Sequence, residues 1–399
     1  MWLPGTVLGW STLSSVSADG NKVKKHMKHL LLGTTALVAA GFMVGEAYAA
    51  DPIKLGIGGF ARGNGGVVLG DDDSTGEPGD NTTAGRFRWD AEVHFKGETT
   101  LDNGITVGAR IELEGQNAGD QIDEAFVDFS GGFGEVRFGQ FNEAALQMCV
   151  GDPGNVTANF GANSPNESFT NEAGGALGIP VTSLGTCYGV VGDDLNLTYF
   201  SPVFGGFQFA VSYQPNTPDQ DTGPGAGTFP KGAPAQRDIF SAGGTFSRDF
   251  DDVSLLIGGG ASFVGHDDTD NKESSFMQAG FQVGVGGFTV GAAGSIGNNY
   301  SDMYGAAVAI NSDYWTIQAG GNYSFEAWSV GLEWTHGEFE VATSSDEDSL
   351  DHISLNGSYA LGPGIAIEAQ GSYVDYEDDS ASINDYSAFQ LGTGFAISF

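Results

Sequence analysis

From residue 50 to the C-terminus the chain alternates apolar and polar residues with a period of two. In the clearest stretch, 86–96, Phe87, Trp89, Ala91, Val93 and Phe95 fall on one face; Arg86, Arg88, Asp90, Glu92, His94 and Lys96 fall on the other. Such alternation marks a β-strand with one apolar side. Asp102-Asn103-Gly104 then forms a tight turn, after which Ile105, Val107, Ala109, Ile111 and Leu113 alternate with Thr106, Arg110, Glu112 and Glu114. Sixteen segments qualify as strands: 53–62, 86–97, 105–115, 121–130, 134–141, 194–201, 206–214, 237–247, 252–264, 274–285, 288–296, 313–323, 328–339, 351–361, 364–374 and 387–399. The stretch 303–310 alternates weakly. Counting it would put the two chain ends on opposite sides, so parity assigns it to a loop. The parity of 121–130 is ambiguous, which leaves the facing of Asp123 and Arg137 open.

The polar faces are rich in Gly, Ser and charge, which a dry sandwich core would not accept. Tight turns at 102–104, 131–134, 205–206, 286–287 and 362–364 alternate with long polar loops. A soluble sandwich would bury the apolar faces; a membrane barrel turns them to lipid and encloses a wet lumen. The connections favour an all-β, transmembrane antiparallel β-barrel of sixteen strands, a size that leaves an aqueous channel.

Composition agrees. Apolar residues make up 40% of the 399, too few for a bundle of membrane helices, and glycine alone contributes 64. The formal net charge of −36, from 15 basic and 51 acidic residues, excludes a nucleic-acid partner. A basic run at 21–29, the apolar stretch Leu30–Val44 and the Ala47-Tyr48-Ala49 end read as a secretory signal peptide over 27–49. Residues 1–26 then precede a second start, Met27, and 50–399 form the exported barrel.

The chain ends Phe389-Gln-Leu-Gly-Thr-Gly-Phe-Ala-Ile-Ser-Phe399, with apolar residues at alternate positions up to the terminal Phe399. Gly131-Gly-Phe-Gly-Glu-Val-Arg-Phe-Gly-Gln140 and Leu195-Asn-Leu-Thr-Tyr-Phe-Ser-Pro-Val-Phe-Gly-Gly-Phe-Gln-Phe-Ala-Val-Ser-Tyr213 are further distinctive stretches, as is Trp328-Ser-Val-Gly-Leu-Glu-Trp334. Together they resemble the fifth to seventh strands and closing strand of Gram-negative general diffusion porins, of the alphaproteobacterial type. The resemblance implies an outer-membrane channel for ions and small hydrophilic solutes, embedded in lipid and lipopolysaccharide and assembled as a homotrimer. It also implies that the barrel-insertion machinery reads Phe399. The loop after the fifth strand, 142–193, would fold inward and narrow the pore, its acids facing wall arginines. By position those acids are Asp152, Glu167, Glu172, Asp193 and Asp194, and the wall residues are Arg86, Arg88 and Arg110. Alternatively the arginines pair with Glu92, Glu112 or Glu114 on neighbouring strands. Two features depart from the family: the second loop, near 115–120, is short, and the third loop is long and holds both cysteines.

Cys149 and Cys187, confined to one loop of an exported chain, are expected to form a disulfide. Of the basic residues, four lysines lie in the leader, along with two acids, so the mature chain carries 11 basic and 49 acidic residues. The excess lies in runs: Asp71–Asp73 with Glu77 and Asp80; Asp267, Asp268, Asp270 and Glu273; Asp346–Asp348; Glu377–Asp379. On outer loops these runs would concentrate cations at the mouth, giving moderate cation selectivity, and could hold surface Ca²⁺ or Mg²⁺. No other cofactor is expected. His94, His266, His336 and His352 accompany no nucleophile motif, which argues against an enzyme. A sugar-selective channel would stack aromatics along its lumen, whereas here they fall outward, except Phe60. An adhesive barrel would carry a separate outer domain.

Overall fold

In hydrocarbon an extended segment must pair every backbone N–H and C=O with a neighbouring strand, and only a closed sheet has no edge. The computed structural model forms such a sheet. It describes residues 52–70, 85–115, 121–160, 185–187, 195–216, 236–266, 273–299, 310–341, 347–377 and 386–399. The leader, 27–49, and the extension before it lie outside the described residues. The first eight strands are β1 (Lys54–Gly70), β2 (Gly85–Thr100), β3 (Thr106–Glu114), β4 (Ile122–Gly131), β5 (Gly134–Gln140), β6 (Leu195–Phe200), β7 (Phe207–Asn216) and β8 (Gln236–Phe250). The rest are β9 (Val253–His266), β10 (Ser274–Val285), β11 (Phe288–Asn298), β12 (Ile310–Phe325), β13 (Trp328–Val341), β14 (Glu347–Gly362), β15 (Ile365–Glu377) and β16 (Tyr386–Ser398). Each pairs antiparallel with its sequence neighbours, and β1 pairs with β16 to close the barrel, from Phe60 opposite Ser398 to Gly70 opposite Ala388. All sixteen expected segments are strands. The stretch 303–309 lies outside the described residues, and β12 begins at Ile310.

The tight turns cluster at one rim. Gly286 (φ 56°) and Gly287 (φ 87°) adopt the left-handed backbone that lets a two-residue turn reverse the chain. At two further turns non-glycine residues accept that conformation, Asp251 (φ 52°) and Glu326 (φ 50°). Neither turn carries a glycine signal, and both fall outside the five tight turns expected from the sequence. β4 explains its own ambiguous parity: Ile111 pairs with Ala125 but Leu113 with Ile122, so one extra residue bulges from β4. The bulge brings both Asp123 and Glu124 to the lumen side, where Asp123 meets Glu92 and Glu114, and Glu124 accepts a bond from Asn142.

The outer wall is apolar and uncovered. Phe87 is 91% exposed, Leu55 69% and Leu355 59%. Such a surface suits lipid rather than water. Aromatic pairs stud the rims of this band: Phe288 against Tyr323 (centroids 4.2 Å apart), Trp328 against Tyr359 (4.5 Å) and Tyr373 against Phe389 (4.8 Å). Their amphipathic rings belong at the lipid–water boundary. Leu355 lies midway along β14, so Leu355→Arg should destabilise the barrel by about 2–4 kcal/mol in lipid vesicles, as read by equilibrium unfolding.

Candidate functional site

The lumen is built from two parts, the inner wall and a strap that leaves β5. Residues 141–160, including the single turn α1 (Ala144–Gln147), pass along the inside of the barrel. Inward side chains hold the strap's main chain at nearly every step. Ala144 N donates to Ser212 Oγ (3.0 Å) and Ala145 N to Ser241 Oγ (2.8 Å), while Gln278 Nε2 donates to Ala145 O (2.7 Å). Further on, Gln282 bonds Gly151 O (3.0 Å), Asn322 bonds Pro153 O (2.6 Å), and Val156 N donates to Asn356 Oδ1 (2.9 Å). At the far end Glu368 of β15 accepts from Ala158 N and Asn159 N, and Arg62 and Asn64 of β1 donate to the carbonyls of the same two residues. The strap therefore runs from β7 past β8, β10, β12 and β14 to β15 and β1.

Its seat is made of glycine. A side chain on Gly280 would run into Val150 O, and one on Gly331 into Gly154 O, so the backbone of strap and wall can touch only because these inward positions carry no Cβ. The returning end of the loop is pinned as well. Cys149 and Cys187 are joined (Cα–Cα 5.6 Å), and Thr186 N donates to Gln318 Oε1 of β12 (3.2 Å). Sequence reasoning missed the Gln, Asn and Ser anchors; their signal was polar residues at inward positions of strands whose outer face is oily.

The strap carries Asp152, which is buried and does not face the arginines. Its Oδ1 accepts from Gly154 N (2.7 Å). Burial pushes its carboxyl up to about 6, with the Gly154 bond and the His352 charge acting against the rise. Glu167, Glu172, Asp193 and Asp194 lie outside the described residues, as does the side chain of Arg86. The wall from β1 to β5 is a mosaic of both signs. Arg62 binds Asp90 (2.5 Å), Arg110 is ion-paired with Glu112 on its own strand, and Arg137 binds Glu135 (2.7 Å). Arg110 Nη2 also reaches His94 Nδ1 (3.3 Å), which leaves the Nε2–H of that ring to donate to Glu92 (2.7 Å). Arg88 lies on the inner face opposite Asn64. Thus Arg110 meets acids of its own wall rather than acids of the strap, while Arg62, beyond those expected, hydrogen-bonds the strap and Arg137 stacks on its Phe141. Phe60 does point inward, with the Arg62 guanidinium over its ring at 4.8 Å. Arg137 faces inward too, stacked on Phe126 and Phe200 at 4.5 and 5.0 Å. Among the acidic runs, Asp348 is buried on the inner face and accepts from Tyr376 Oη (2.5 Å), while Glu273, Glu347 and Glu377 are exposed.

Because the Asp152 pKa in the folded chain lies above that of a free carboxyl, its ionised form opposes folding. That cost is absent below about pH 4 and complete above about pH 6. Asp152→Asn should therefore match the wild type in thermal stability at pH 4 and exceed it at pH 8 by at most about 3 kcal/mol. Separately, the folded protein should present no thiol to maleimide until a reductant is added, and two afterwards.

The profile of the Gram-negative porin family matches residues 33–379. No curated protein sequence matches. Solved structures do: the outer-membrane channel DcaP of Acinetobacter baumannii is 15% identical, with a TM-score of 0.58 over 90% of this chain and all of that one. An anion-selective porin from Comamonas acidovorans is 13% identical (TM-score 0.56, 87% of this chain, all of that one). Salmonella typhi OmpF, in complex with daunomycin, is 14% identical (TM-score 0.56, 88% of this chain, all of that one). At such identities these structures speak to the fold alone, which is the closed sixteen-strand barrel. The family match and that barrel lead to one conclusion: this chain belongs to the Gram-negative porin family, as an integral outer-membrane channel through which solutes diffuse, and not an enzyme.

Proposed function

We propose that this channel is a general diffusion pore with a moderate preference for cations. The observation that carries the reading is the charged wall from β1 to β4. There Arg62 and Arg110 are neutralised by Asp90 and Glu112, while Glu92, Glu114 and Asp123 bring carboxylate oxygens within 4.8 Å of one another. Along β1 to β4, among side chains described, the inward acids Asp90, Glu92, Glu98, Glu112, Glu114, Asp123, Glu124 and Asp128 outnumber the inward cations Lys54, Arg62, Arg88, Lys96 and Arg110. A wet lumen lined by excess carboxylate raises the local cation concentration. The mature charge of 11 basic against 49 acidic residues acts in the same direction at the mouth, over a screening length of about 8–10 Å. The strap occupies part of the lumen and so sets a size limit on solutes, with the disulfide holding its two ends together. Inward aromatics such as Phe126, Phe200, Phe276 and Tyr376 are buried and offer no ring face to a sugar, which favours general over sugar-selective passage.

A homotrimer is part of the same reading. β5 has seven residues, and at about 3.4 Å per residue and a tilt of about 40° it rises only about 18 Å, short of the roughly 25 Å apolar band. Its outward Phe138, 51% exposed, needs cover that a neighbouring copy supplies better than lipid does. Elsewhere the band meets outer-membrane lipid and lipopolysaccharide, and the exposed acids at the strand ends offer surface sites for Ca²⁺ or Mg²⁺. Phe399, bonded to Gly59 at the seam, is the residue offered to the insertion machinery. Reversal potentials in planar bilayers under a KCl gradient test the reading: K⁺ should be preferred, by a factor that falls as salt rises. A preference for Cl⁻ at low salt would sink it.

A further inference from the structure

The strap's anchors are unequal. Most are neutral amides or hydroxyls that each make one bond to it. Glu368, buried on the inner face of β15, instead receives three: Ala158 N at 2.8 Å, Asn159 N at 3.1 Å and Asn159 Nδ2 at 2.7 Å. A carboxylate accepting N–H bonds away from water makes stronger bonds than a neutral acceptor does. From the other side, Arg62 Nη1 donates to Ala158 O (3.1 Å) and Asn64 Nδ2 to Asn159 O (3.2 Å), so consecutive peptides are stretched between an acid on β15 and donors on β1. Asn159 Nδ2 also reaches Phe395 O of β16 (3.1 Å). These bonds straddle the seam where β1 closes on β16, and they keep residues 156–160 flat against the wall. A strap segment lying against the inside of a barrel and released from it has one direction to move, into the lumen.

We propose that Glu368 is a positioning residue that keeps the channel open, by clamping Ala158–Asn159 of the strap to the wall. The inference rests on the reading of the protein as a channel. Glu368→Gln keeps the size of the side chain but turns an amide N–H toward backbone N–H groups, so at most one acceptor remains. Single-channel recordings of the full-length mature protein in planar bilayers should show brief closures about tenfold more often in Glu368→Gln than in the wild type, with a lower mean conductance. Glu368→Asp keeps the charge and should restore steadiness in part, which a role confined to barrel stability would not do. Asn159→Asp approaches the same clamp from the strap. It sets one carboxylate against another, leaves the barrel wall intact, and should also flicker; it decides the matter if Glu368→Gln does not fold. A wild type that carries no current would overturn the channel reading itself. A conducting wild type, with variants equally steady and equally conductive, would overturn the clamp alone.

Discussion

Everything in this molecule follows from the cost of an unpaired peptide group in hydrocarbon, several kcal/mol for each N–H or C=O left bare. β1 must find β16 because any other arrangement leaves two edges in lipid. The seam is continuous, running from Phe60 opposite Ser398 to Gly70 opposite Ala388, and it ends in a reciprocal pair of bonds between Gly59 and Phe399. Once the sheet is closed, the period of two assigns every residue to lipid or to lumen. The apolar face that would aggregate in water becomes the membrane surface, and the polar face becomes the lining of a channel.

The lining has its own requirement. A strap inside the barrel brings its own peptide groups away from bulk water, so the wall must answer them. Ser212, Ser241, Gln278, Gln282, Asn322, Asn356 and Glu368 do so from six strands, with hydroxyls, amides and one carboxylate matched to individual N–H and C=O groups. Glycines beneath the strap bring the two backbones into contact, and the disulfide ties its first turn to its return. Polar residues along the path of the strap thus have a structural role: they hold its main chain.

The charged wall runs from β1 to β5. There the cations are held by acids of the same wall, often on the same strand or its neighbour, as in Arg110 with Glu112 and Arg62 with Asp90. Such pairing lowers the positive potential an arginine would otherwise project into the pore. The β4 bulge strengthens the effect by turning Asp123 inward beside Glu92 and Glu114. A local irregularity of one residue thereby adds a carboxylate to the lumen.

Alternation and turn residues were enough to locate all sixteen strands, five of the short turns at one rim, the outward aromatics and the inward facing of Phe60, Arg88 and Arg110. A strand's facing is a local property, set by which residues tolerate lipid, and so it can be read along the chain. Membership of the porin family was legible for the same reason, since its motifs are strands and turns. What the sequence could not disclose depends on contacts between residues far apart in the chain. That Asp90 neutralises Arg62 turns on the register of β1 against β2. The β4 bulge depends on how Ile111 and Leu113 pair with their partners. The role of Arg62 in holding the strap joins residues 96 positions apart, and that of Glu368 joins residues 210 apart. Only closure of the barrel brings those groups within reach of one another, because the strap meets its anchors inside a ring that exists only when the last strand has found the first.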